Sequence, residues 1–348
     1  MPGADTTRWD ICRLRAALFT LLLLSAALIP CSAEAQDALP PLPSPDPPPP
    51  SAWAIGQQAA PSHALKAQVE LVALHVTVTD AHGQFVPNLT RDNFEVFEDK
   101  VRQKLSFFSN GDIPVTMGLV IDNSGSMREK RAQVSAAAMA FVNTSNPQDE
   151  AFVVNFNDEY YLDTTGAFTS DRKNLDEALS RIDARGMTAL YDAVIGSLDH
   201  LKKGHKDKRV LLLITDGDDD ASRETFADTI KVAEKSDAAI YAIGVFSQED
   251  RKSEGRMVRH SVKILTELAQ ATGGRAYFPQ TLDQVTPICE QVARDIRNQY
   301  TLGYYPTNEA RDGTFRTVQV KIIPPKGMKH LTVRTRVGYY APSASSAD

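Results

Sequence analysis

Short apolar runs alternate with amphipathic stretches through the middle of the chain, between residues 112 and 299. The runs are nearly continuous, as strands that are buried on both faces of a parallel sheet require, and they lie at 115–121, 151–156, 210–214 and 239–246. Apolar residues at helical spacing separate these runs, a short strand is expected at 276–278, and a final helix is expected over 282–298. An additional strand at 160–164 suits an antiparallel edge. The pattern predicts an α/β fold, a doubly wound, Rossmann-like and mostly parallel sheet flanked by helices.

Residues on both sides of this segment alternate between apolar and polar, which is typical of half-buried strands. The first flank predicts a strand at 72–79 and a hairpin of 94–98 with 101–108, and the second predicts strands at 300–305, 315–323 and 331–339. Neither flank alone comfortably buries two faces of a sheet. We therefore expect the N-terminal segment, 66–111, and the C-terminal segment, 300–341, to pair into one small β-sandwich.

The first 35 residues have the three regions of a secretory signal peptide in order. Three arginines precede an apolar run over 16–29, and Ala33-Glu34-Ala35 supplies small residues for cleavage. The run is shorter than the roughly 20 residues that cross a bilayer, so we expect no permanent membrane span. We predict a secreted or periplasmic protein. An alternative is a lipid-anchored envelope protein, because the residues before Cys31 resemble a lipobox.

A proline-rich linker follows the signal peptide over residues 36–65, and a disordered tail is expected over 342–348. Nine of the chain's 20 prolines lie between Asp37 and Pro61, which favours an extended spacer. Cys12 and Cys31 belong to the removable segment, so Cys289 is the one cysteine of the predicted mature chain. That chain can form no intramolecular disulfide, and Cys289 is interpreted as a small buried hydrophobic residue.

Composition and charge exclude several classes of protein. The 348 residues are 42% hydrophobic and 24% charged, as in ordinary folded domains rather than disordered or fibrous chains. Lysine and arginine number 38 against 44 aspartates and glutamates, which gives a formal net charge of −6. A chain with this net charge has no overall positive potential to attract the phosphate backbone of a nucleic acid, so we expect no nucleic-acid partner.

Oxygen-bearing side chains follow the predicted parallel strands at the points where the strands end. The first strand runs into Asp122-Asn123-Ser124-Gly125-Ser126, the strand at 210–214 runs into Thr215-Asp216-Gly217, and Thr188 precedes a predicted helix. The carboxyl ends of parallel strands meet at one sheet edge, where ligands of doubly wound folds bind. Hydroxyl and carboxylate oxygens suit a hard dication such as Mg²⁺, and the five candidate ligands are Asp122, Ser124, Ser126, Thr188 and Asp216.

These residues resemble the metal ion-dependent adhesion site of von Willebrand factor type A (VWA) domains. The pattern is Asp-x-Ser-x-Ser followed by a distant threonine and a distant Asp-Gly, and residues 186–192 and 271–274 extend the resemblance over 112–299. The flanks at 76–80, 93–99 and 300–304 resemble a secreted bacterial group called VWFA-related. The resemblance implies a Mg²⁺ ion, or Mn²⁺ or Ca²⁺, that Ser124, Ser126 and Thr188 bind directly and Asp122 and Asp216 bind largely through water. It also implies that an Asp or Glu carboxylate of a protein partner completes the site.

The sequence is compatible with two classes of function. The first is a non-catalytic, metal-dependent protein-recognition module, and the alternative is a hydrolase or phosphotransferase with Asp122 or Ser124 as nucleophile. The sequence lacks a Gly-x-Ser-x-Gly elbow, a phosphate-binding Gly-rich loop and a histidine placed to activate a hydroxyl, which favours recognition over an enzyme. A subunit of an ATP-driven chelatase, as some relatives are, conflicts with export. The run Asp218-Asp219-Asp220 is interpreted as a solvated acidic loop.

Overall fold

The computed structural model describes residues 70–181 and 183–343. The predicted signal peptide, the linker over 36–65, Cys31 and residues 344–348 of the predicted tail lie outside the described residues. The chain divides into two units, Met1–Ala64 and Leu65–Asp348, and all the described residues belong to the second. No helix within the described ranges is both long enough and apolar enough to cross a membrane.

The described residues form three sheets. The first flank supplies β1 (Val72–Thr79), β2 (Phe94–Glu98), β3 (Val101–Gln103) and β4 (Leu105–Ser109). The middle segment supplies β5 (Val115–Asp122), β6 (Glu150–Phe156), β7 (Tyr160–Leu162), β8 (Lys208–Thr215), β9 (Ala238–Gly244) and β10 (Ala276–Tyr277). The second flank supplies β11 (Tyr300–Tyr304), β12 (Phe315–Ile322), β13 (Thr332–Arg334) and β14 (Gly338–Tyr340).

The middle strands form a six-stranded sheet in the order β10-β9-β8-β5-β6-β7. All neighbours pair in parallel except β7, which runs antiparallel to β6 at the edge. Every residue of the central strand β5 is buried, as its continuous apolar run predicts. The side chain of Phe152 packs directly against the backbone of β5 at Gly118, where an added methyl group would lie 2.6 Å from the phenyl ring.

Helices cover both faces of this sheet. They are α1 (Arg131–Thr144), α2 (Arg172–Leu179), α3 (Leu190–Leu201), α4 (Phe226–Lys235), α5 (Gln248–Ser253), α6 (Gly255–Ala271) and α7 (Val285–Arg297). One hydrophobic cluster joins α1, α2 and α7 to one face, and a second joins α3, α4 and α6 to the other. The predicted doubly wound fold class is confirmed. The sequence pattern missed only the short helices α2 and α5.

The two flanks form two four-stranded antiparallel sheets in the orders β13-β1-β11-β4 and β14-β12-β2-β3. Both sheets therefore contain strands from each flank, and one hydrophobic cluster fills the space between them. A buried polar network crosses the same core. The hydroxyls of Tyr304 and Tyr339 each donate to Glu98 Oε2 at 2.8 Å, and the guanidinium of Arg316 lies 3.5 Å from Glu98 Oε1. Both flanks are needed to complete this core.

Two of the predicted flank strands are wrong in their continuity. The stretch 101–108 breaks at Lys104, so that β3 pairs with β2 while β4 pairs with β11 in the other sheet. The stretch 331–339 divides likewise into β13, which pairs with β1, and β14, which pairs with β12. Strands that change sheets make the corners of a sandwich, and a continuous strand would leave those corners open.

The chain enters and leaves the α/β part at neighbouring strands of the sandwich. β4 precedes β5, β11 follows α7 after two residues, and Ser109 of β4 pairs with Thr301 of β11. Buried hydrogen bonds tie the parts together here, since Gln299 Nε2 donates to Thr77 Oγ1 and to Tyr241 Oη at 3.1 Å each. The α/β part is thus inserted in the chain between β4 and β11, two strands that pair with each other.

Candidate metal centre

Asp122 is the last residue of β5, and its side chain is completely buried. One carboxylate oxygen accepts a hydrogen bond from the backbone N–H of Ser124 at 2.8 Å, which closes the turn after the strand. The other oxygen accepts the hydroxyl of Thr215 at 2.5 Å. Since Thr215 ends β8, this carboxylate connects the ligand loop to the neighbouring strand and fixes both at the same edge of the sheet.

The other four predicted ligands lie at the same edge of the sheet as this carboxylate. The hydroxyl oxygens of Ser124 and Ser126 are 3.1 Å apart, and Ser126 Oγ donates to Asp216 Oδ1 at 2.8 Å. Thr188 lies beside the residue after Asp216, because a methyl group added at Gly217 would sit 3.2 Å from Thr188 Oγ1. The structure therefore brings all five predicted side chains to one sheet edge.

The spacing and chemistry of these oxygens fit a small hard cation. Neighbouring ligands of an octahedral Mg²⁺ ion with bonds of about 2.1 Å are about 3.0 Å apart, and the two measured oxygen separations lie close to that value. No group of three or more His, Cys, Asp or Glu residues in the described part of the chain is placed to hold a metal ion. The fit therefore depends on serine and threonine hydroxyls, which suit Mg²⁺ better than softer ions.

The loop that carries Thr188 is held by the acidic run after β8. Asp220 Oδ1 accepts the backbone N–H of Thr188 at 2.6 Å, and the N–H groups of Asp220 and Ala221 donate back to the carbonyl of Thr188. Asp219 Oδ1 accepts the N–H of Tyr191 at 3.1 Å in the first turn of α3. Asp220 is exposed and Asp219 is half-buried, so the run is in contact with solvent as predicted. The sequence did not indicate that both carboxylates also accept backbone N–H groups next to a candidate ligand.

A glycine with a left-handed backbone joins the threonine loop to the serine loop. Gly186 has a φ of +75°, and its carbonyl accepts the N–H of Gly125 at 3.1 Å. A methyl group at Gly186 would lie 2.0 Å from Asp158 Oδ2, while Asp158 Oδ1 accepts the N–H of Met187. Only glycine meets both demands without strain, so this residue sets where the threonine approaches the serines.

Lys130 is a charged residue at the centre that sequence reasoning missed. Its ammonium nitrogen lies 2.5 Å from Asp216 Oδ2 and 3.1 Å from Asp250 Oδ2, with the lysine side chain only 11% exposed. Burial lowers the pKa of Lys130, but the charges and hydrogen bonds of Asp216 and Asp250 outweigh it and raise the pKa above its ordinary value. The only sequence signal was its position one helical turn beyond Ser126.

Burial has the opposite effect on the innermost carboxyl group. Burial and, to a lesser degree, the nearby charge of Asp216 raise the pKa of Asp122 from 3.8 to about 6, and hydrogen bonds from Ser124 and Thr215 offset only part of this rise. Two carboxyl groups close together in a buried site resist ionising at the same time. A cation bound among them would favour the ionised form of both.

One family model matches part of the α/β segment. Residues 117–218 match the family model of the von Willebrand factor type A domain, and that range contains all five candidate ligands. The family match therefore covers the part of the α/β segment that holds the candidate site, and VWA domains generally act in protein interaction and not in catalysis. No curated protein matches the chain.

Solved structures with similar folds have low sequence identity to this chain. A von Willebrand factor type A protein from Catenulispora acidiphila is 13% identical, with 74% of this chain and 75% of that chain covered and a TM-score of 0.46. Conserved hypothetical protein BatB from Bacteroides thetaiotaomicron is 17% identical, with 52% and 98% covered and a TM-score of 0.42. Proximal thread matrix protein 1 from the mussel byssus was solved with a zinc-occupied metal ion-dependent adhesion site (MIDAS) motif. It is 16% identical, with 57% of this chain and 49% of that chain covered and a TM-score of 0.44.

Proposed function

We propose that this protein is an exported, non-catalytic recognition module that binds an acidic side chain of a protein partner through a divalent cation. The cation is Mg²⁺ in the first instance, with Mn²⁺ or Ca²⁺ as alternatives, and its ligands are Asp122, Ser124, Ser126, Thr188 and Asp216. The observation that carries this proposal is the row of oxygens from Ser124 through Ser126 to Asp216, spaced 3.1 and 2.8 Å apart at the ligand-binding edge of the sheet.

The chemistry of the ligand set favours an acidic partner. Ser124, Ser126 and Thr188 offer neutral hydroxyls, while Asp122 holds the serine loop in place and Asp216 orients Ser126. A bound dication would supply positive charge that these hydroxyls do not neutralise, together with a coordination position for a carboxylate. A partner's Asp or Glu is the side chain that matches this demand.

The geometry around the two nucleophile candidates favours recognition over the hydrolase or phosphotransferase alternative. Asp122 is completely buried and both of its oxygens already accept hydrogen bonds. The hydroxyl of Ser124 contacts that of Ser126, a group that cannot act as a general base at neutral pH. Covalent catalysis would require one of these groups to leave its present partners.

Metal binding and partner capture by single-site variants test the proposal. Asp122→Ala and Thr188→Ala should each weaken Mg²⁺ binding at least tenfold by isothermal titration calorimetry, while Asp199→Ala, which removes an exposed carboxylate of α3, should not. A pull-down from the extracellular or envelope fraction, run with Mg²⁺ and with EDTA, should give partners that only the wild type and Asp199→Ala retain. The proposal fails if the wild type binds none of Mg²⁺, Mn²⁺, Ca²⁺ or Zn²⁺ at millimolar concentration, or if Asp122→Ala captures those partners normally.

Export is the second part of the proposal and is tested separately. Cell fractionation should find the protein outside the cytoplasm, which would also separate it from a chelatase subunit. Intact-mass measurement should give a mature chain that begins at Gln36, after the small residues of the predicted cleavage site. A chain that instead begins at a lipid-modified Cys31 would favour the anchored envelope protein.

A further inference from the structure

Lys130 places a positive charge directly on one of the candidate metal ligands. The residue follows the 3-10 turn Gly125–Met127 and precedes α1, so its position is fixed by the same turn that carries Ser126. Its ammonium group lies between Asp216, whose side chain is 1% exposed, and Asp250, whose side chain is 34% exposed. The contact with Asp216 is therefore nearly free of solvent, and screening by water is weak there.

We propose that Lys130 is a built-in counter-cation of the metal centre, which holds Asp216 in the absence of metal and lowers the affinity of the centre for divalent cations. This inference rests on the proposed metal-binding function. Lys130 is not one of the five ligands, but its charge would set the affinity of the centre for the cation.

The charge balance of the site supports this role. Asp122 and Asp216 are the two carboxylates of the ligand set, and Lys130 already neutralises one of them. A dication would thus meet one uncompensated negative charge instead of two, and more of its own charge would remain available to a partner's carboxylate. With an effective dielectric constant of about 20, a unit charge within about 10 Å of a dication changes its affinity by roughly tenfold or more.

Asp250 gives the lysine a second partner from a different element. Asp250 Oδ2 accepts the N–H of Ser247 at 2.7 Å, and Asp250 N donates to Ser247 Oγ at 3.0 Å, so a capping box at the start of α5 fixes this carboxylate. Because the second carboxylate is only 3.1 Å away, Lys130 keeps a counter-ion when Asp216 turns towards a cation. The lysine can therefore stay in place in both states of the site.

Lys130→Met tests the proposal because methionine keeps the aliphatic chain and removes the charge. The variant should bind Mg²⁺ at least tenfold more tightly by titration calorimetry, melt at a lower temperature than wild type in EDTA, and gain more thermal stability from Mg²⁺. Lys173→Met removes an equal charge from a side chain of α2 that is 84% exposed, and its Mg²⁺ affinity should match that of wild type. Asp250→Asn should weaken Mg²⁺ binding several-fold, because Lys130 would then have Asp216 as its only carboxylate partner and would compete more strongly with the cation for it.

A folded Lys130→Met protein whose Mg²⁺ affinity is unchanged or weaker would overturn the proposal and leave Lys130 with a structural role alone. If that variant does not fold, Asp250→Asn decides, and an unchanged affinity there would overturn the proposal. Failure of the wild type to bind any of the ions would defeat the proposed function as well. A wild type that binds Mg²⁺, combined with a folded Lys130→Met that gains no affinity, would defeat only the counter-cation.

Discussion

Asp122→Asn should stabilise the protein in the absence of metal and abolish metal binding at the same time. Asparagine can keep both contacts of the native side chain. Its carbonyl oxygen can accept the N–H of Ser124, and its amide can donate to Thr215 Oγ1, which reverses the direction of the native hydrogen bond from Thr215. What the substitution removes is a negative charge that is completely buried beside Asp216. The variant thus separates the structural role of this residue from its proposed role as a ligand.

The expected magnitude follows from the pKa of Asp122. Burial, assisted by Asp216, raises this pKa from 3.8 to about 6, a shift of about 2 units, which corresponds to about 3 kcal/mol of folding free energy. The folded protein keeps this proton up to about pH 6, whereas the unfolded chain loses it near pH 3.8. The free energy of unfolding therefore falls as pH rises between these values, and above pH 6 the wild type carries the whole penalty.

Unfolding measurements in EDTA between pH 4 and pH 8 test this prediction. Asp122→Asn should be about 3 kcal/mol more stable than wild type at pH 7.5, which corresponds to a melting temperature higher by about 5–10 °C. The difference should vanish towards pH 4, and Mg²⁺ should raise the melting temperature of the wild type alone. Burial also raises the pKa of Asp149 to about 6, but both proteins share that residue, so its contribution cancels.

Two results would refute this reasoning. The first is a variant that is no more stable than wild type at pH 7.5 in EDTA. The second is a gain in stability that persists at pH 4, because a gain independent of pH could not come from removing the charge of Asp122.

Three other substitutions test the support around the site and the core of the sandwich. Gly186→Ala should cost about 1–3 kcal/mol in urea unfolding and weaken Mg²⁺ binding; Gly327→Ala, which also has a positive φ but meets no atom within 4 Å, should leave Mg²⁺ binding unchanged. Asp220→Ala should weaken Mg²⁺ binding about tenfold by calorimetry, because the N–H of Thr188 loses its acceptor, whereas Asp218→Ala should have a smaller effect. Glu98→Leu should cost about 3–5 kcal/mol in urea unfolding and reduce hydrogen-exchange protection in both flanks, because Arg316 loses its buried counter-ion and keeps only the more exposed Asp312 at 4.0 Å. Unchanged protection in either flank would contradict a shared core.

The central sheet and the position of the candidate site could be predicted from sequence because the two depend on local patterns. Continuous apolar runs such as 115–121 mark strands buried on both faces, and parallel winding brings the ends of those strands to one edge. The proximity of Asp122, Ser124, Ser126, Thr188 and Asp216 follows from that winding. Their role as metal ligands stays a prediction.

Features that depend on contacts between distant residues were not predictable in this way. Lys130 meets Asp216 across 86 positions of sequence, and no local pattern distinguishes it from an exposed lysine at the start of a helix. The break at Lys104 reflects pairing with β11, which lies almost 200 residues further along the chain. The helix α5 is different, because Ser247 and Asp250 have the spacing of a capping box and could have indicated its start.

The insertion of the α/β part between the paired strands β4 and β11 determines how the molecule would carry mechanical tension. A pull applied at residues 70 and 343 would load the strand pairs of the sandwich first, because Ser109 and Thr301 are paired where the chain crosses into and out of the α/β part. The applied force would not reach the loops of the candidate ligands until those strand pairs separate. A module that binds its partner at one sheet edge could thus be held under tension from both ends without distortion of the binding site.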